Sequence, residues 1–363
     1  MKLRILDKYV LKELLYPFIF GVASFSSIFI ASTMLFKMTQ YITKYGASWD
    51  SVARLFMYNL PEVINYTFPM SMLLAALMAF GKLSGSSEII AMKSGGVSYY
   101  RIVAPVIVVG FFVSMFSVVW AEKVVPMCKN EAYKILNYEI RHNTRPNVQE
   151  HILLKSFSSN NQSITYASTF DEKQGVMNDI TVEEFEKGTL KRVQTAKKAY
   201  WENGSWRMVD GHVFDMEATK GILSTAYFKE QNLPLDLSPR QISWEQKEPE
   251  QMSIGELRES IRIMESRKIS AARNRCEIYM RINIPLASLF FAVIGACLGT
   301  QKQRTSSSIG LGISIIVIFI YYAVMSLTTG LGKGGVIPPL LACTLPNMLC
   351  AGVGAYLMRK KNV

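Results

Sequence analysis

Two lysines stand where the first apolar stretch of the chain ends. Lys37 closes that stretch and Lys44 follows it, about two turns further along the same face if the helix continues, because an α-helix has 3.6 residues per turn. Ammonium groups placed in this way could together bind an anionic lipid headgroup. They could equally stay in the headgroup layer while their methylene stems cover apolar surface. The spacing leaves both interpretations open.

A short polar segment between two apolar stretches carries the other candidate residues. The run Ser87-Glu-Ile-Ile-Ala-Met92 is followed by Gly95-Gly96. Ser87 is predicted to cap a short helix with Glu88 in its first turn, where a negative charge favours the helix dipole. The two glycines are predicted to end that helix. It could be a loop element without a role, or a coupling helix that docks into a cytoplasmic partner.

The sequence lacks the residue patterns of common catalytic and nucleotide-binding sites. It holds no Gly-rich phosphate loop ending in Lys-Ser or Lys-Thr, no Gly-x-Ser-x-Gly and no His-Glu-x-x-His. Its Cys and His residues lack the spacing of a zinc site, although a disulfide between Cys128 and Cys276 is geometrically conceivable. Glu62, the one acid well inside an apolar stretch, is too little for a proton or sodium relay. We therefore expect no catalytic residue, no metal and no cofactor.

Membrane-spanning helices are the elements that must position these residues. Half of the 363 residues are apolar and only 19% are charged, and the apolar residues are concentrated in blocks. A bilayer core is roughly 30 Å thick and takes about 20 helical residues to cross. Six segments reach this length, namely Leu14–Phe36, Leu55–Phe80, Ile102–Ala121, Ile282–Gln301, Ser306–Gly332 and Gly334–Met358.

The distribution of Lys and Arg predicts the orientation in the membrane, because short cytoplasmic loops are enriched in these residues. With the N-terminus inside, the inner side holds Lys2, Arg4, Lys8, Lys82, Lys93, Arg101, Lys302, Arg304, Arg359, Lys360 and Lys361. The outer short loops hold only Lys37, Lys44 and Lys333. Both termini are therefore predicted to be cytoplasmic. The net charge of +12 fits contact with anionic lipid, and no nucleic-acid-binding motif accompanies it.

The polar insertion between the third and fourth spans is predicted to be a β domain. Asn203-Gly204 stands between the aromatic flanks that contain Trp201 and Trp206, which is the strongest short-range signal for a hairpin. Further turn signals at short spacing suggest a sandwich or jelly roll. Near its end, Ser253 opens a capping box that starts a charged return helix.

The predicted fold is thus an α-helical membrane protein with six transmembrane helices (3+3) and an inserted periplasmic β-jellyroll domain. Residues 1–126 are the first membrane half, which includes a coupling loop at 81–100. Residues 127–275 are the periplasmic domain with its return helix. Residues 276–363 are the second membrane half.

Several short motifs, in their order along the whole chain, resemble one family. They are Leu6-Asp-Lys8-Tyr9, Phe68-Pro69-Met70, Ser87-Glu88-Ile-Ile-Ala-Met92, Trp120-Ala-Glu122-Lys-Val-Val-Pro126, Arg281-Ile-Asn-Ile-Pro285, Gly335-Val-Ile-Pro338-Pro339 and Leu345-Pro346-Asn347. Together they are similar to the LptF/LptG (YjgP/YjgQ) family of lipopolysaccharide export permeases. They do not assign the chain to the LptF or the LptG branch.

The resemblance implies a set of partners and site residues. Two such permeases, in a hetero- or homodimer, would bind an LptB-like ATPase dimer in the bacterial inner membrane. They would take lipopolysaccharide from the outer leaflet, with spans one and five as gates, and pass it to LptC/LptA-like periplasmic proteins. Ser87, Glu88 and Met92 would contact the ATPase. Lys37 and Lys44 would meet phosphates of the lipid.

Two other classes of function remain to be weighed against a permease. A membrane-anchored scaffold or sensor, whose outer domain binds a ligand, would have the same spans but no need for a force-transmitting loop. A secondary transporter would need more buried acids than the sequence offers. The cytoplasmic loop therefore distinguishes the first two hypotheses, and the number of buried acids speaks against the third.

Overall fold

The computed structural model of the chain describes residues 5–141, 148–157, 161–186, 188–217, 221–235, 237–246, 248–266, 269–300 and 307–362. They fold as two compact units. One unit comprises Met1–His142 and Ala272–Val363, and the other comprises Asn143–Ala271.

The first unit is helical. Its helices are α1 (Ile5–Phe29), α2 (Leu35–Tyr45), α3 (Trp49–Gly85), α4 (Glu88–Ser94), α5 (Tyr99–Val119) and α6 (Val125–Lys134). After the inserted unit, the chain continues with α9 (Ala272–Gly299), α10 (Ser307–Lys333) and α11 (Pro339–Asn362). Three π-helical turns, at Ile30–Met34, Trp120–Val124 and Ile135–Ile140, join or extend these helices.

Six helical runs within the described residues are long and apolar enough to cross a membrane. They are Ile5–Tyr45, Trp49–Gly85, Tyr99–Ile140, Ala272–Gly299, Gly312–Lys333 and Pro339–Lys361. The predicted six spans are therefore confirmed, although the predicted ends Gln301 and Ser306 lie outside the described residues.

The third helical run continues into the region that was predicted to belong to the inserted domain. Residues 127–142 fold with the helical unit, as do residues 272–275 at the other boundary. Pro126 does not end the helix, because it lies in the first turn of α6, where a missing N–H is tolerated. The compact helical unit thus extends past residue 126, to residue 142.

Close glycine packing joins α3 and α9 in the helical unit. A Cβ added to Gly295 would lie 2.6 Å from the carbonyl oxygen of Leu73, and one added to Gly299 would lie 2.6 Å from that of Leu77. Lipid tails are as apolar as leucine, so helices in a membrane associate through such close packing and through hydrogen bonds. The spans that contain α3 and α9 are mostly buried, whereas only a small share of those of α1, α10 and α11 is buried.

The second unit contains one antiparallel sheet, which confirms the predicted β domain. Its strands are β1 (Val148–Phe157), β2 (Asn161–Asp171), β3 (Val176–Glu186), β4 (Thr189–Glu202), β5 (Ser205–Glu217) and β6 (Gly221–Leu233). Each strand pairs with its neighbour in the chain. Two further helices are α7 (Pro239–Gln246) and α8 (Ile254–Ser266).

The predicted hairpin and capping box are both present in this unit. Asn203 (φ 51°) and Gly204 (φ 81°) form the turn between β4 and β5, as an Asn-Gly turn of type I′ requires. Trp201 and Trp206 are registered opposite each other, with ring centroids 5.4 Å apart. At the start of α8, the backbone N–H of Ser253 donates to the carboxylate of its capping-box partner at 2.8 Å.

A transverse row of residues interrupts all six strands. His151 in β1, Asp179 in β3 and Asp210 in β5 have positive φ values of 55°, 48° and 57°. In each neighbouring even-numbered strand, one residue lies opposite these positions, between the residue pairs that precede and follow it in the register. We call this line the crease row; it consists of His151, Ser168, Asp179, Lys197, Asp210 and Lys229.

The alternation of buried and exposed residues along the strands shifts by one position at the crease row. In β3 the buried residues are Met177, Ile180 and Val182, so a step of three replaces the usual step of two as the strand crosses Asp179. Neighbouring strands show the same step, for instance from Ala196 to Ala199 in β4. Successive strand residues normally point to opposite faces, so the step of three keeps the buried residues on both sides of the crease row facing one core.

Candidate functional site

The two candidate cations lie on a continuous helix. Lys37 and Lys44 both belong to α2 and are exposed, so the helix does extend past the apolar stretch as their spacing required. No residue in the described ranges forms an ion pair with either lysine. Met38 and Ile42 of the same helix pack against a buried cluster. The lysines are thus held on an anchored helix with their ammonium groups in solvent.

The acid inside the second span is paired. The carboxylate of Glu62 lies 2.6 Å from the ammonium of Lys129 in α6, and both side chains are about one-fifth exposed. The indole N–H of Trp120 donates to the carbonyl of Pro61 at 2.9 Å. Glu62 therefore joins α3 to the helix that follows the third span.

The predicted short helix α4 exists, but it does not begin as predicted. Ser87 has φ 62° and ψ 13°, and its side chain makes no capping hydrogen bond. A capping residue normally has extended backbone, which directs its oxygen towards the first turn, and the left-handed conformation of Ser87 does not. The prediction of a Ser87 cap is therefore wrong. Ser86 hydrogen-bonds the Glu88 carboxylate instead, at 2.7 Å.

The end of α4 is closed as the glycines indicated. Val97 donates its backbone N–H to the carbonyl of Met92 at 3.1 Å, and Gly96 donates to that of Lys93 at 3.0 Å. Gly96 has φ 83°, which is the left-handed position of a Schellman motif and is easily adopted by glycine. The chain is thereby turned directly from α4 into α5.

The side chains of α4 divide into two groups. Glu88 is half-buried and hydrogen-bonds the hydroxyl of Tyr9 in α1. Met92 is partly buried against the helical core, whereas Ser87 is exposed. Ile90 is 56% exposed and was not among the residues predicted from the sequence. The sequence did offer a signal for Ile90. In a short helix that buries Ile89, the neighbouring apolar residue points away from the core.

Contacts from several helices hold α4 in place. The ammonium of Lys93 donates to the carbonyl of Lys361 in α11 at 2.9 Å. Ile89 of α4 is buried in one cluster with Val10 of α1 and Leu83 of α3. A displacement of α4 would therefore be transmitted to α1, α3 and α11.

A buried ion pair lies at the same end of the helical unit and was not predicted. The carboxylate of Asp7 in α1 is bound by the guanidinium of Arg101 in α5, with an N–O distance of 2.8 Å. Asp7 is only 5% exposed. The sequence placed Asp7 in the motif Leu6-Asp-Lys8-Tyr9, but it could not show which of many cations would pair with it.

The five cysteines all lie within the described residues, and each is a free thiol. Cys276 is buried beside the thiol of Cys343, which lies 3.6 Å from the Cys276 carbonyl oxygen. Cys276 and Cys128 are therefore not paired here. In the described part of the chain, no group of three or more Cys, His, Asp or Glu side chains could hold a metal ion.

Comparison with known proteins gives a match along nearly the whole chain. The family model for the lipopolysaccharide export system permease LptF/LptG matches residues 8–360. Among curated relatives are the lipopolysaccharide export system permease proteins LptG of Escherichia coli strain K12 and of Escherichia coli O6:H1 strain CFT073. Each is 21% identical over 372 residues, an alignment that covers 99% of this chain and 99% of the relative.

Proposed function

The chain belongs to the LptF/LptG family of lipopolysaccharide export permeases, and from this premise we propose that it is the permease subunit of an ABC-type complex. It is a multi-pass inner-membrane protein. In the proposed complex it extracts lipopolysaccharide from the inner membrane and passes it to a periplasmic bridge of other proteins. The observation that carries the proposal is the family match over residues 8–360.

A separate ATPase supplies the energy in this proposal. Each methylene group moved from hydrocarbon to water costs about 0.8 kcal/mol, so a lipid with many acyl chains cannot leave the bilayer unaided. The sequence holds no nucleotide-binding loop of its own. The work must therefore enter from a partner, by way of a part of the permease that is in mechanical contact with the spans.

The short helix α4 is the proposed docking point of that ATPase. Its contacts with α1, α3 and α11 support this role, because a force on α4 would reach three different helices. Ser87 and Ile90 are exposed and could contact the ATPase. Glu88 is half-buried, because its carboxylate also hydrogen-bonds Tyr9 of α1. Met92, which is partly buried against the helical core, would join α4 to the bundle in addition to any contact with the partner.

The exposed lysines of α2 are the proposed contacts for the anionic groups of the lipid. Lys37 and Lys44 have no partner within the described residues, and two unpaired cations on one anchored helix attract phosphate by charge-assisted hydrogen bonds. With the termini in the cytoplasm, α2 lies at the outer face, next to the leaflet from which the lipid would enter. The β domain then lies in the periplasm and receives the lipid.

Copurification in mild detergent followed by mass spectrometry tests the proposal as a whole. We expect the full chain to bring down an ATPase, a permease of the same family and bound glycolipid. The second permease can be another copy of this chain or a different one, and intact-complex mass distinguishes them. A chain that carries no glycolipid and recruits no ATPase would be a scaffold or sensor instead.

A substitution in α4 tests the docking point. Glu88→Ala should weaken ATPase association and stop export while the protein stays folded, because it removes the link from α4 to Tyr9 and Ser86. Ser94→Ala, at the exposed end of the same helix, is the control and should leave both unchanged. Normal assembly and export by the Glu88 variant would show that α4 is not the coupling element.

A charge reversal in α2 tests the lipid contact. Lys37→Glu should reduce crosslinking of lipopolysaccharide to the permease, because a carboxylate repels the lipid phosphates. Lys8→Glu, an exposed lysine near the other end of the same span, is the matched control. Equal crosslinking in both variants would favour the alternative, in which Lys37 only places its charge in the headgroup layer.

A further inference from the structure

Helix α10 packs against the helical unit along part of its surface. Ile318, Tyr321 and Met325 lie in a buried cluster with residues of α3 and α9, whereas Phe319 and Leu327 are both 71% exposed. At the end of α10, a Cβ added to Gly332 would lie 2.5 Å from the Cβ of Ala342 in α11, whereas one added to Gly312 or Gly330 would meet no atom within 4 Å. In hydrocarbon, exposed apolar residues contribute nothing to holding it against its neighbours.

A chain of hydrogen bonds connects α10 to two other helices. The hydroxyl of Tyr321 donates to the side-chain oxygen of Asn347 in α11 at 2.9 Å. The side-chain amide of Asn347 donates in turn to the carbonyl oxygen of Asn283 in α9 at 2.7 Å. Asn283 donates its own amide to the carbonyl of Tyr279 at 2.9 Å. Tyr321, Asn347 and Asn283 are each at most 8% exposed.

The side chain next to Tyr321 fixes α10 from another direction. The hydroxyl of Tyr322 donates to the carbonyl of Tyr66 in α3 at 3.1 Å. The ring of Tyr321 packs edge-on against Phe291 of α9, with centroids 4.8 Å apart. Two consecutive tyrosines thus place the same turn of α10 relative to α3, α9 and α11.

The polar chain also explains two motifs that the proposed function leaves without a role. Asn283 lies in Arg281-Ile-Asn-Ile-Pro285, and Asn347 lies in Leu345-Pro346-Asn347. Polar side chains within spans are costly unless they are paired, and here Asn347 donates to Asn283 and accepts from Tyr321, while Asn283 donates to Tyr279. A hydrogen bond at a defined position along α10 therefore fixes where this helix lies against α9 and α11.

We propose that Tyr321, Asn347 and Asn283 are positioning residues, which hold α10 in one place against α9 and α11 and so set the width of the lipid path beside it. This inference rests on the proposed function, because it gives α10 a task in export. The three residues would act through hydrogen bonds inside the helical unit, without contacting the lipid.

Hydrogen-exchange mass spectrometry of the intact complex in lipid nanodiscs tests the inference. Tyr321→Phe keeps the ring against Phe291 and removes one hydroxyl. It should raise amide exchange in residues 312–333 by about three- to twentyfold, the range that a single interhelical hydrogen bond covers, and leave α9 unchanged. Tyr356→Phe, which removes a hydroxyl that is mostly exposed on α11, should change nothing.

A second variant shows whether the residues act as one chain. Asn347→Leu should loosen α10 at least as much as Tyr321→Phe does, and the double variant should loosen it no further than Asn347→Leu alone, because both break the same connection. Additive effects, equal loosening of α9 and α10, or no change in exchange would each overturn the inference.

Export is measured in the same samples to separate this inference from the proposed function. We expect Tyr321→Phe to lower the yield of lipopolysaccharide released per ATP hydrolysed, while ATP hydrolysis itself continues. Loosening of α10 with unchanged yield would refute the positioning role. If the unmodified complex carries no glycolipid, the proposed function fails, whereas the exchange data still decide whether the hydrogen bonds hold α10.

Discussion

An alanine at Gly295 tests whether close glycine packing holds the helical unit together. The added Cβ would lie 2.6 Å from the Leu73 carbonyl oxygen and 2.8 Å from the Cβ of Ala76. Both contacts are shorter than any that real Cβ atoms make, so α3 and α9 must move apart. Overpacking of this kind costs about 1–3 kcal/mol, against a gain of about 1 kcal/mol from replacing glycine inside a helix.

The net effect expected for Gly295→Ala is thus a loss of about 1 kcal/mol in the free energy of unfolding. Gly352→Ala is the matched control, since a Cβ there meets no atom within 4 Å in α11. It should gain about 1 kcal/mol from helix propensity alone. The two alanine variants should therefore differ by about 2 kcal/mol, although they have the same composition.

Denaturant unfolding of the detergent-solubilised chain, followed by tryptophan fluorescence, measures this difference. Adding Gly299→Ala to Gly295→Ala should cost less than the sum of the two, because one separation of the helices relieves both contacts. If Gly295→Ala proves as stable as Gly352→Ala, then α3 and α9 are not held by close backbone approach, and the reasoning is refuted.

Three further predictions follow from features of the two units. Asp179→Val should destabilise the β domain by roughly 1–2 kcal/mol, whereas Asp179→Gly should not, because valine is strained at a φ of 48°; thermal melts of the two variants compare them. Asp7→Ala should lower the free energy of unfolding by about 2 kcal/mol, less than the roughly 3–5 kcal/mol lost when a fully buried pair is broken, because Arg101 is 29% exposed and can rehydrate. Arg101→Lys, which keeps the positive charge, should lower it by less in the same unfolding assay. The Arg192 guanidinium holds the pKa of Asp215 below its usual value, so this pair adds stability above roughly pH 4 that is lost as the pH falls, and Asp215→Asn should flatten the acid limb of a pH–stability curve.

Features that depend on length and local chemistry were predictable from the sequence. The six spans follow from the length of the apolar stretches alone, since soluble domains rarely contain so many uncharged stretches of about 20 residues. The turn at Asn203-Gly204 followed from the left-handed conformation that these two residue types adopt easily. The same reasoning fails where the conformation is set from outside, as at Ser87, whose backbone has to fit between the end of α3 and the start of α4.

Pairings between distant residues were not predictable from one sequence. Many cations were available for Asp7, and the choice of Arg101 depends on how α1 and α5 pack. The lysines of α2 and Glu88 became candidates because charged side chains are unusual at their positions in the sequence, and their roles stay predictions. The chain from Tyr321 to Asn347 was missed because each residue alone reads as an ordinary member of an apolar helix.

The crease row has a consequence for how the β domain can vary among related proteins. The strands β2, β3, β4 and β5 all shift their inward-facing pattern at the same level, so the two halves of the sheet meet along the crease row. An inserted or deleted residue inside one strand would move that strand's crease residue out of line with those of its neighbours. Changes in length should therefore be confined to the hairpin tips. Strands grafted from a relative would fit only if their crease residues stand at the same positions.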